Sequence, residues 1–149
     1  MIKVLDLEAQ DAERQLEETM RFIGDAHGVV LVYSISSRLS FEHVQSLYAH
    51  IRPMIVEKRL VVSLIGAQCD CDESERQVKR SEGEKLAEAL QLECPFIETS
   101  ARTGENVYEA MLSIVHEIRK RNLTPRENQK QDVIECIKRL FKRERWCSK

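Results

Sequence analysis

The chain is poor in aromatic residues and in long apolar runs, and each shortage excludes a class of protein. Aromatic residues make up 5% of the 149 residues, so we expect an aliphatic core. No apolar run approaches the roughly 20 residues that a membrane-spanning helix needs. The amino terminus has no secretory signal pattern, and the five cysteines are an odd number. We therefore expect reduced thiols and a cytoplasmic protein.

The cysteines do not predict a metal centre. Cys69 and Cys71 form a C-x-C pair. A tetrahedral zinc site needs two further ligands at suitable spacing, and no nearby His or Cys supplies them. We expect the four histidines to have surface or packing roles.

Composition predicts one soluble globular domain with an uneven charge. Hydrophobic residues make up 42% and charged residues 32% of the chain, which is ordinary for a globular protein. The net charge of −2 combines −9 over residues 1–118 with +7 over residues 119–149. Such an asymmetry is informative about partners rather than about fold, and it favours an acidic partner for the carboxyl-terminal region.

Apolar, β-branched runs alternate along the chain with stretches of helical spacing. The sequence predicts strands at residues 2–7, 29–35, 60–65 and 94–97. It predicts helices at residues 16–23, 41–55, 81–92 and 103–118, with Ser40 as the N-cap of the second helix. This alternation is typical of βαβ units, so we expect an α/β fold with a parallel sheet and helices on both faces.

A break at residues 122–124 separates a second region. Thr124, Pro125 and Glu127 form a strong helix start, with a capping hydroxyl, a proline at the first helical position and a glutamate three residues after the cap. The helix that follows has an apolar seam within a dense basic surface; the seam consists of Val133, Ile137, Leu140 and Phe141. We predict a domain at residues 1–121 and a basic amphipathic extension at residues 122–149.

Two interpretations of this extension stay open. The seam could pack on the domain and leave a solvated basic face. Alternatively, residues 126–145 could attach to an anionic membrane or to a calmodulin-like partner. No C-a-a-X prenylation box is present, because Cys147 stands one position too late. We expect no nucleic-acid partner.

Three loops that follow predicted strands carry the motifs. Ligands bind at the carboxyl ends of strands in open parallel sheets, so these loops are the candidate site. In chain order they are Asp6-Leu7-Glu8-Ala9-Gln10, Gly66-Ala67-Gln68-Cys69-Asp70 and Glu98-Thr99-Ser100-Ala101-Arg102. They resemble the D-x-x-G-Q, G-N-K-x-D and E-T-S-A-K/R segments of Ras-like small GTPases. The resemblance covers residues 2 to about 121 and implies a P-loop NTPase-like fold.

The first segment, by this resemblance, belongs to the phosphate end of the site. The resemblance implies GTP or GDP and Mg²⁺ as cofactors. Asp6 would hold the magnesium ion through water, and Gln10 would orient the attacking water. Ala9 stands at the glycine position whose amide contacts the γ-phosphate, where a Cβ restricts the backbone.

The second and third segments, by the same resemblance, recognise the guanine base. Asp70 would accept two hydrogen bonds from the guanine edge. Ala67 stands at the Asn position and Gln68 at the Lys position, so two supports of the base are changed. The backbone amides of the third segment would contact the guanine oxygen; its site residues are Ser100, Ala101 and Arg102.

The family's phosphate-binding loop has no counterpart in the printed sequence. None of the five glycines begins a G-x-x-x-x-G-K-S/T motif, whose amides and lysine cradle the phosphates. The same region supplies magnesium ligands and the strand between those predicted at residues 2–7 and 29–35. We expect no GTP hydrolysis by these 149 residues, at best weak nucleotide binding, and an open sheet edge that invites homodimerisation.

Two functions stay open at this point. The chain could be part of a GTPase switch. Alternatively, it could be a pseudo-GTPase that binds effector or regulatory proteins without nucleotide turnover. In either case a membrane-bound form would be peripheral, at the inner face of the plasma membrane.

Overall fold

The computed structural model describes residue 23 and residues 26–121. The described elements alternate strictly between strand and helix. They are β1 (Gly28–Ser34), α1 (Arg38–Lys58), β2 (Val61–Ala67), α2 (Arg80–Ala89), β3 (Ile97–Thr99) and α3 (Val107–Lys120).

The three described strands form one parallel sheet in the order β1-β2-β3. β1 pairs with β2 from Gly28 opposite Val61 to Ser34 opposite Ala67. β2 then pairs with β3 over residues 65–67 and 97–99. The predicted α/β fold with a parallel sheet is therefore confirmed. Within the described part of the chain, β1 is an edge strand.

The predictions for the two ends of the chain lie outside the described residues. They concern the strand at residues 2–7, the helix at residues 16–23 apart from Ile23, and the basic helix after residue 121. The division at residue 121 and the homodimer through an open edge consequently stay predictions.

α1 begins earlier than the sequence predicts. Its N-cap is Ser37, whose hydroxyl accepts a hydrogen bond from the Ser40 amide at 3.3 Å. Ser40 lies inside the first turn, where its hydroxyl donates to the Ser37 carbonyl at 2.9 Å and accepts from the Ser34 amide at 2.9 Å. The prediction of Ser40 as N-cap is wrong because several serines precede the helix, and spacing alone does not distinguish them.

Two helix boundaries differ because left-handed residues end or begin the helices. Gln91 has a φ of 54° just after α2, which ends at Ala89 rather than at residue 92. Asn106 has a φ of 55° as the N-cap of α3, so this helix begins at Val107 rather than at residue 103. β3 occupies residues 97–99 rather than 94–97.

The core has two parts, one on each face of the sheet. The larger part joins β1 and β2 to α1 and α2, and its members include Leu31, Tyr33, Val44, Ile51 and Leu64. The smaller part lies under α3 and contains Val61, Cys94 and Ile114. Helices therefore cover both faces, as the sequence predicts.

Gly83 explains how closely α2 approaches the sheet. A Cβ built at Gly83 would lie 2.5 Å from the Tyr33 hydroxyl and in contact with the Phe96 ring. A glycine inside a helix costs about 0.5–1 kcal/mol relative to alanine. Here the absence of a Cβ makes room for the side chains of Tyr33 and Phe96.

Tyr33 fills this space with a hydroxyl that is not hydrogen bonded within the described part of the chain. Its side chain is 2% exposed, stacks on Phe96 at a centroid distance of 6.2 Å and meets the Phe41 ring edge-on at 4.8 Å. Burial, followed by the nearby Glu98 carboxylate, raises the pKa of Tyr33 far above its ordinary value. The phenol therefore remains neutral, and a buried unpaired hydroxyl lowers stability.

Replacing Tyr33 by phenylalanine should raise the free energy of unfolding by about 1 kcal/mol or leave it unchanged, because it removes only the unpaired hydroxyl. The measurement is urea unfolding followed by circular dichroism. Tyr48→Phe is the matched control, since the Tyr48 hydroxyl donates to the Leu90 carbonyl at 3.4 Å. The control should lose about 0.5–1 kcal/mol. A clear loss in Tyr33→Phe would contradict the prediction.

Candidate functional site

Two loops meet at the carboxyl edge of the sheet, where the sequence predicts the site. The first follows β2 and runs over residues 68–79; the second follows β3 and runs over residues 100–106. The amide of Cys69 donates to the Thr99 carbonyl at 3.0 Å, which continues the pairing of β2 with β3 into the loops. The structure therefore brings together Ala67, Gln68, Asp70, Ser100, Ala101 and Arg102.

Asp70 is the acidic group on which the loops converge. The Arg102 Nε donates to Asp70 Oδ2 at 2.5 Å, and a second Arg102 nitrogen donates to the Asp70 carbonyl at 3.1 Å. The Asp70 side chain is 17% exposed, whereas that of Arg102 is 66% exposed. A hydrogen bond from the Ser100 hydroxyl, followed by that from Arg102, lowers the pKa of Asp70. Asp70 is thus a fixed, ionised acceptor at neutral pH.

Ser100 is held by its own loop. It is fully buried, and its hydroxyl accepts from the Thr103 amide at 3.1 Å. The Ser100 amide donates to the Glu105 carbonyl at 3.1 Å, and the Gly104 amide donates to the Ser100 carbonyl at 2.9 Å. Gly104 has a φ of 81°, a conformation that glycine adopts without strain. The loop therefore positions the Ser100 hydroxyl before any ligand arrives.

Gln68 turns away from Asp70. Its φ of 68° places it in the left-handed region. Its side-chain carbonyl accepts from the Ser36 hydroxyl at 2.8 Å and also from the Ser34 hydroxyl. Gln68 therefore ties the loop to the end of β1 through a serine network, which the sequence analysis missed because spacing alone does not indicate it.

Arg76 and Glu98 connect the loop after β2 to strand β3. The Arg76 guanidinium donates to both Glu98 carboxylate oxygens, at 2.8 and 3.1 Å, and to the Val78 carbonyl at 3.2 Å. Their side chains are only 17% and 8% exposed. Asn106 donates to the Glu98 carbonyl at 3.0 Å. Glu98 belongs to a motif that the sequence reveals, whereas its pairing with Arg76 was not predicted because the two residues are 22 positions apart.

The cysteines beside Asp70 are poor nucleophiles and poor metal ligands. Burial raises the pKa of the Cys69 thiol to about 11 and also raises that of Cys71. A thiolate is the reactive and the ligating form. Among residues 26–121 and residue 23, no group of three or more His, Cys, Asp or Glu side chains could hold a metal ion.

The described residues fit a guanine base in part. Asp70 offers carboxylate acceptors, one of which already accepts from the Arg102 Nε. Ala67 has no side-chain amide with which to bind the base, and the Gln68 carbonyl already accepts two serine hydroxyls. Asp6, Ala9 and Gln10, the residues predicted for the phosphate and magnesium end, lie outside the described part of the chain.

Comparison with known proteins identifies the family. A model of the Ras family matches residues 1–120. The chain belongs to the Ras family. It is 30% identical over 137 residues to "Ras-related protein Rab-26" of Drosophila melanogaster, covering 92% of this chain and 34% of that protein. It is 37% identical over 122 residues to "Ras-like protein" of Laccaria bicolor, covering 82% of this chain and 56% of that protein.

This Ras-family chain spans between about a third and just over half of the length of those two relatives. No helix within the described residues is long and apolar enough to span a membrane.

Arg76→Met should lower the free energy of unfolding by about 3–5 kcal/mol, because it leaves the buried Glu98 carboxylate without its cationic partner. The control is Arg80→Met, which removes an exposed pair with Glu84 of 62% and 53% side-chain exposure. That control should cost about 0.5 kcal/mol or less. Urea unfolding of the two variants and of the unaltered chain measures both losses in the free energy of unfolding. Similar losses in the two variants would contradict a structural role for the Arg76–Glu98 pair.

Proposed function

We propose that this Ras-family chain carries the guanine-recognising half of a small-GTPase nucleotide site. The observation that carries the proposal is the ionised Asp70, held by Ser100 and Arg102 at the carboxyl edge of the sheet. A guanine base presents adjacent N–H groups, for which a fixed carboxylate is a matched acceptor. Arg102 leaves Asp70 when the base binds, and its high exposure keeps the cost of this exchange small.

We further propose that the 149 residues bind guanine nucleotide weakly and do not hydrolyse GTP. A nucleotide gains much of its affinity from contacts with its phosphates, and the printed sequence contains no glycine-lysine phosphate loop. In the family the magnesium ion stabilises charge on the transferring phosphate. Asp6 is the residue that would hold it here, with Gln10 beside the attacking water.

The second candidate is an interaction module that works without nucleotide. The changed residues Ala67 and Gln68 favour it, because Gln68 joins the serine network instead of supporting a base. Such a module would present the surface of residues 68–79 and 100–106 to effector or regulatory proteins. The two candidates differ in one measurable property, which is selectivity for guanine over adenine.

Titration calorimetry with GDP and ADP tests guanine recognition. We expect a dissociation constant for GDP weaker than about 1 μM and a preference over ADP of about tenfold, as one or two hydrogen bonds would give. Asp70→Ala should abolish the preference, and the exposed neighbour Asp72→Ala should retain it. Equal affinity for GDP and ADP in the unaltered chain would favour the interaction module. Submicromolar GDP binding, or phosphate release from GTP, would contradict the weakened site.

For the carboxyl-terminal extension we propose peripheral attachment to an anionic membrane at the inner face of the plasma membrane. Its basis is that residues 122–149 hold eight Lys or Arg and four Asp or Glu, a net charge of +4, since each Lys or Arg near such a surface contributes about 1 kcal/mol.

Sedimentation with vesicles of phosphatidylcholine and phosphatidylserine tests membrane attachment. The whole chain should bind, and added salt should weaken binding because it screens the charges. A chain truncated after Arg121 should not bind. Equal binding by the two chains would contradict the proposal. So would equal binding to vesicles that lack phosphatidylserine.

A further inference from the structure

Arg102 reaches Asp70 from the solvent side of the candidate site. Within the described residues its side chain makes two hydrogen bonds, and both go to Asp70. The Nε donates to the carboxylate oxygen Oδ2 at 2.5 Å, and a terminal nitrogen donates to the backbone carbonyl at 3.1 Å. The Arg102 side chain is 66% exposed, against 17% for that of Asp70. The guanidinium therefore lies over the outer side of the carboxylate.

Ser100 reaches the same carboxylate from the interior. Its hydroxyl donates to Asp70, and the residue is fully buried. A carboxylate has two oxygens with about four acceptor positions in all, so it can bind the Ser100 hydroxyl and a ligand at the same time. A ligand arrives from solvent, and on that side a charged donor already occupies Oδ2.

Two 6-oxopurine bases differ in the number of N–H groups that they present to such a carboxylate. Guanine presents a ring N–H and an exocyclic amino group side by side, whereas hypoxanthine presents the ring N–H alone. A base with two adjacent donors needs both carboxylate oxygens, because each donor meets one of them. A base with one donor needs a single oxygen and can leave Arg102 in place.

On the basis of the proposed guanine site, we propose that Arg102 is a specificity-determining residue that weakens the distinction between guanine and hypoxanthine. The second hydrogen bond of guanine forms only after the Arg102 Nε has left Oδ2 of Asp70, so the bond gained replaces a bond lost. Hypoxanthine does not need this exchange. The ligands of the site are therefore 6-oxopurine nucleotides as a class, with guanine preferred to hypoxanthine by about twofold or less.

The structure does not need Arg102 to hold the two loops together. The Cys69 amide donates to the Thr99 carbonyl at 3.0 Å, and the Arg76 guanidinium binds both oxygens of the Glu98 carboxylate. These contacts are more buried than the Arg102 side chain, and an exposed ion pair adds little to stability beside them. Removal of Arg102 should therefore free the carboxylate without moving the loop that carries it.

Titration calorimetry with GDP and with inosine diphosphate (IDP), whose base is hypoxanthine, tests this role. The two nucleotides differ only in the exocyclic amino group, so the attraction between their phosphates and the charge of Arg102 cancels in the ratio of their affinities. In Arg102→Met the ratio of GDP to IDP affinity should rise about fivefold, the upper end of what an exposed ion pair contributes. The rise should be absent when Asp70→Ala is added, because the freed oxygen is then missing.

Arg80→Met is the matched control for the loss of charge. It removes the same charge from an arginine that is 62% exposed and paired with Glu84. The ratio of GDP to IDP affinity should stay as it is in the unaltered chain. An equal rise in Arg80→Met and Arg102→Met would contradict a specific role for Arg102.

ADP as a third ligand separates the failure of this inference from the failure of the guanine site. Suppose that the chain prefers GDP and IDP to ADP, while Arg102→Met leaves the ratio of GDP to IDP affinity unchanged or lowers it. The guanine site would then stand, and the role of Arg102 would be refuted. Equal affinities for the three nucleotides, or no measurable binding, would overturn the guanine site and this inference with it.

Discussion

The Arg76–Glu98 pair is the constraint on which the candidate site depends. It joins the loop after β2 to the end of β3 in an environment where both side chains are nearly inaccessible to water. Because an ion pair in such a place is costly unless both partners are present, the geometry of one loop fixes that of the other. Asp70 lies on the loop that carries Arg76, and Ser100 follows β3, which carries Glu98; the hydrogen bond from the Cys69 amide to the Thr99 carbonyl joins the same two segments.

The sheet, its direction and its helices could be predicted because they follow from local patterns. A run such as residues 61–65 is apolar and β-branched throughout, and the long apolar stripe of α1 has the spacing of a helix. The ends of elements were less predictable. Gln91 and Asn106 adopt left-handed backbone conformations, and neither is a glycine that would indicate such a turn in advance. Ser37 caps α1 in a serine-rich stretch, whereas the sequence predicted Ser40.

The candidate site was also predictable only in part. The convergence of residues 66–70 and 98–102 follows from the rule that ligand loops lie at the carboxyl ends of parallel strands. The partners of each side chain do not follow from that rule. Gln68 binds serines more than 30 positions away, and Arg102 occupies the carboxylate that a base would use. These contacts depend on tertiary packing. No fixed spacing in the sequence indicates them.

The ion pair between Arg102 and Asp70 occupies the carboxylate that the proposed guanine site would use. A guanidinium group and the edge of guanine share one chemical unit, a planar carbon with N–H donors side by side, and both fit a carboxylate. Solutes that carry this unit, such as guanidinium chloride or free arginine, are therefore low-affinity analogues of the base. Under the proposed function they would bind the Asp70 carboxylate in addition to acting as additives or denaturants. Urea, which has no positive charge, is the appropriate denaturant for experiments on binding at Asp70.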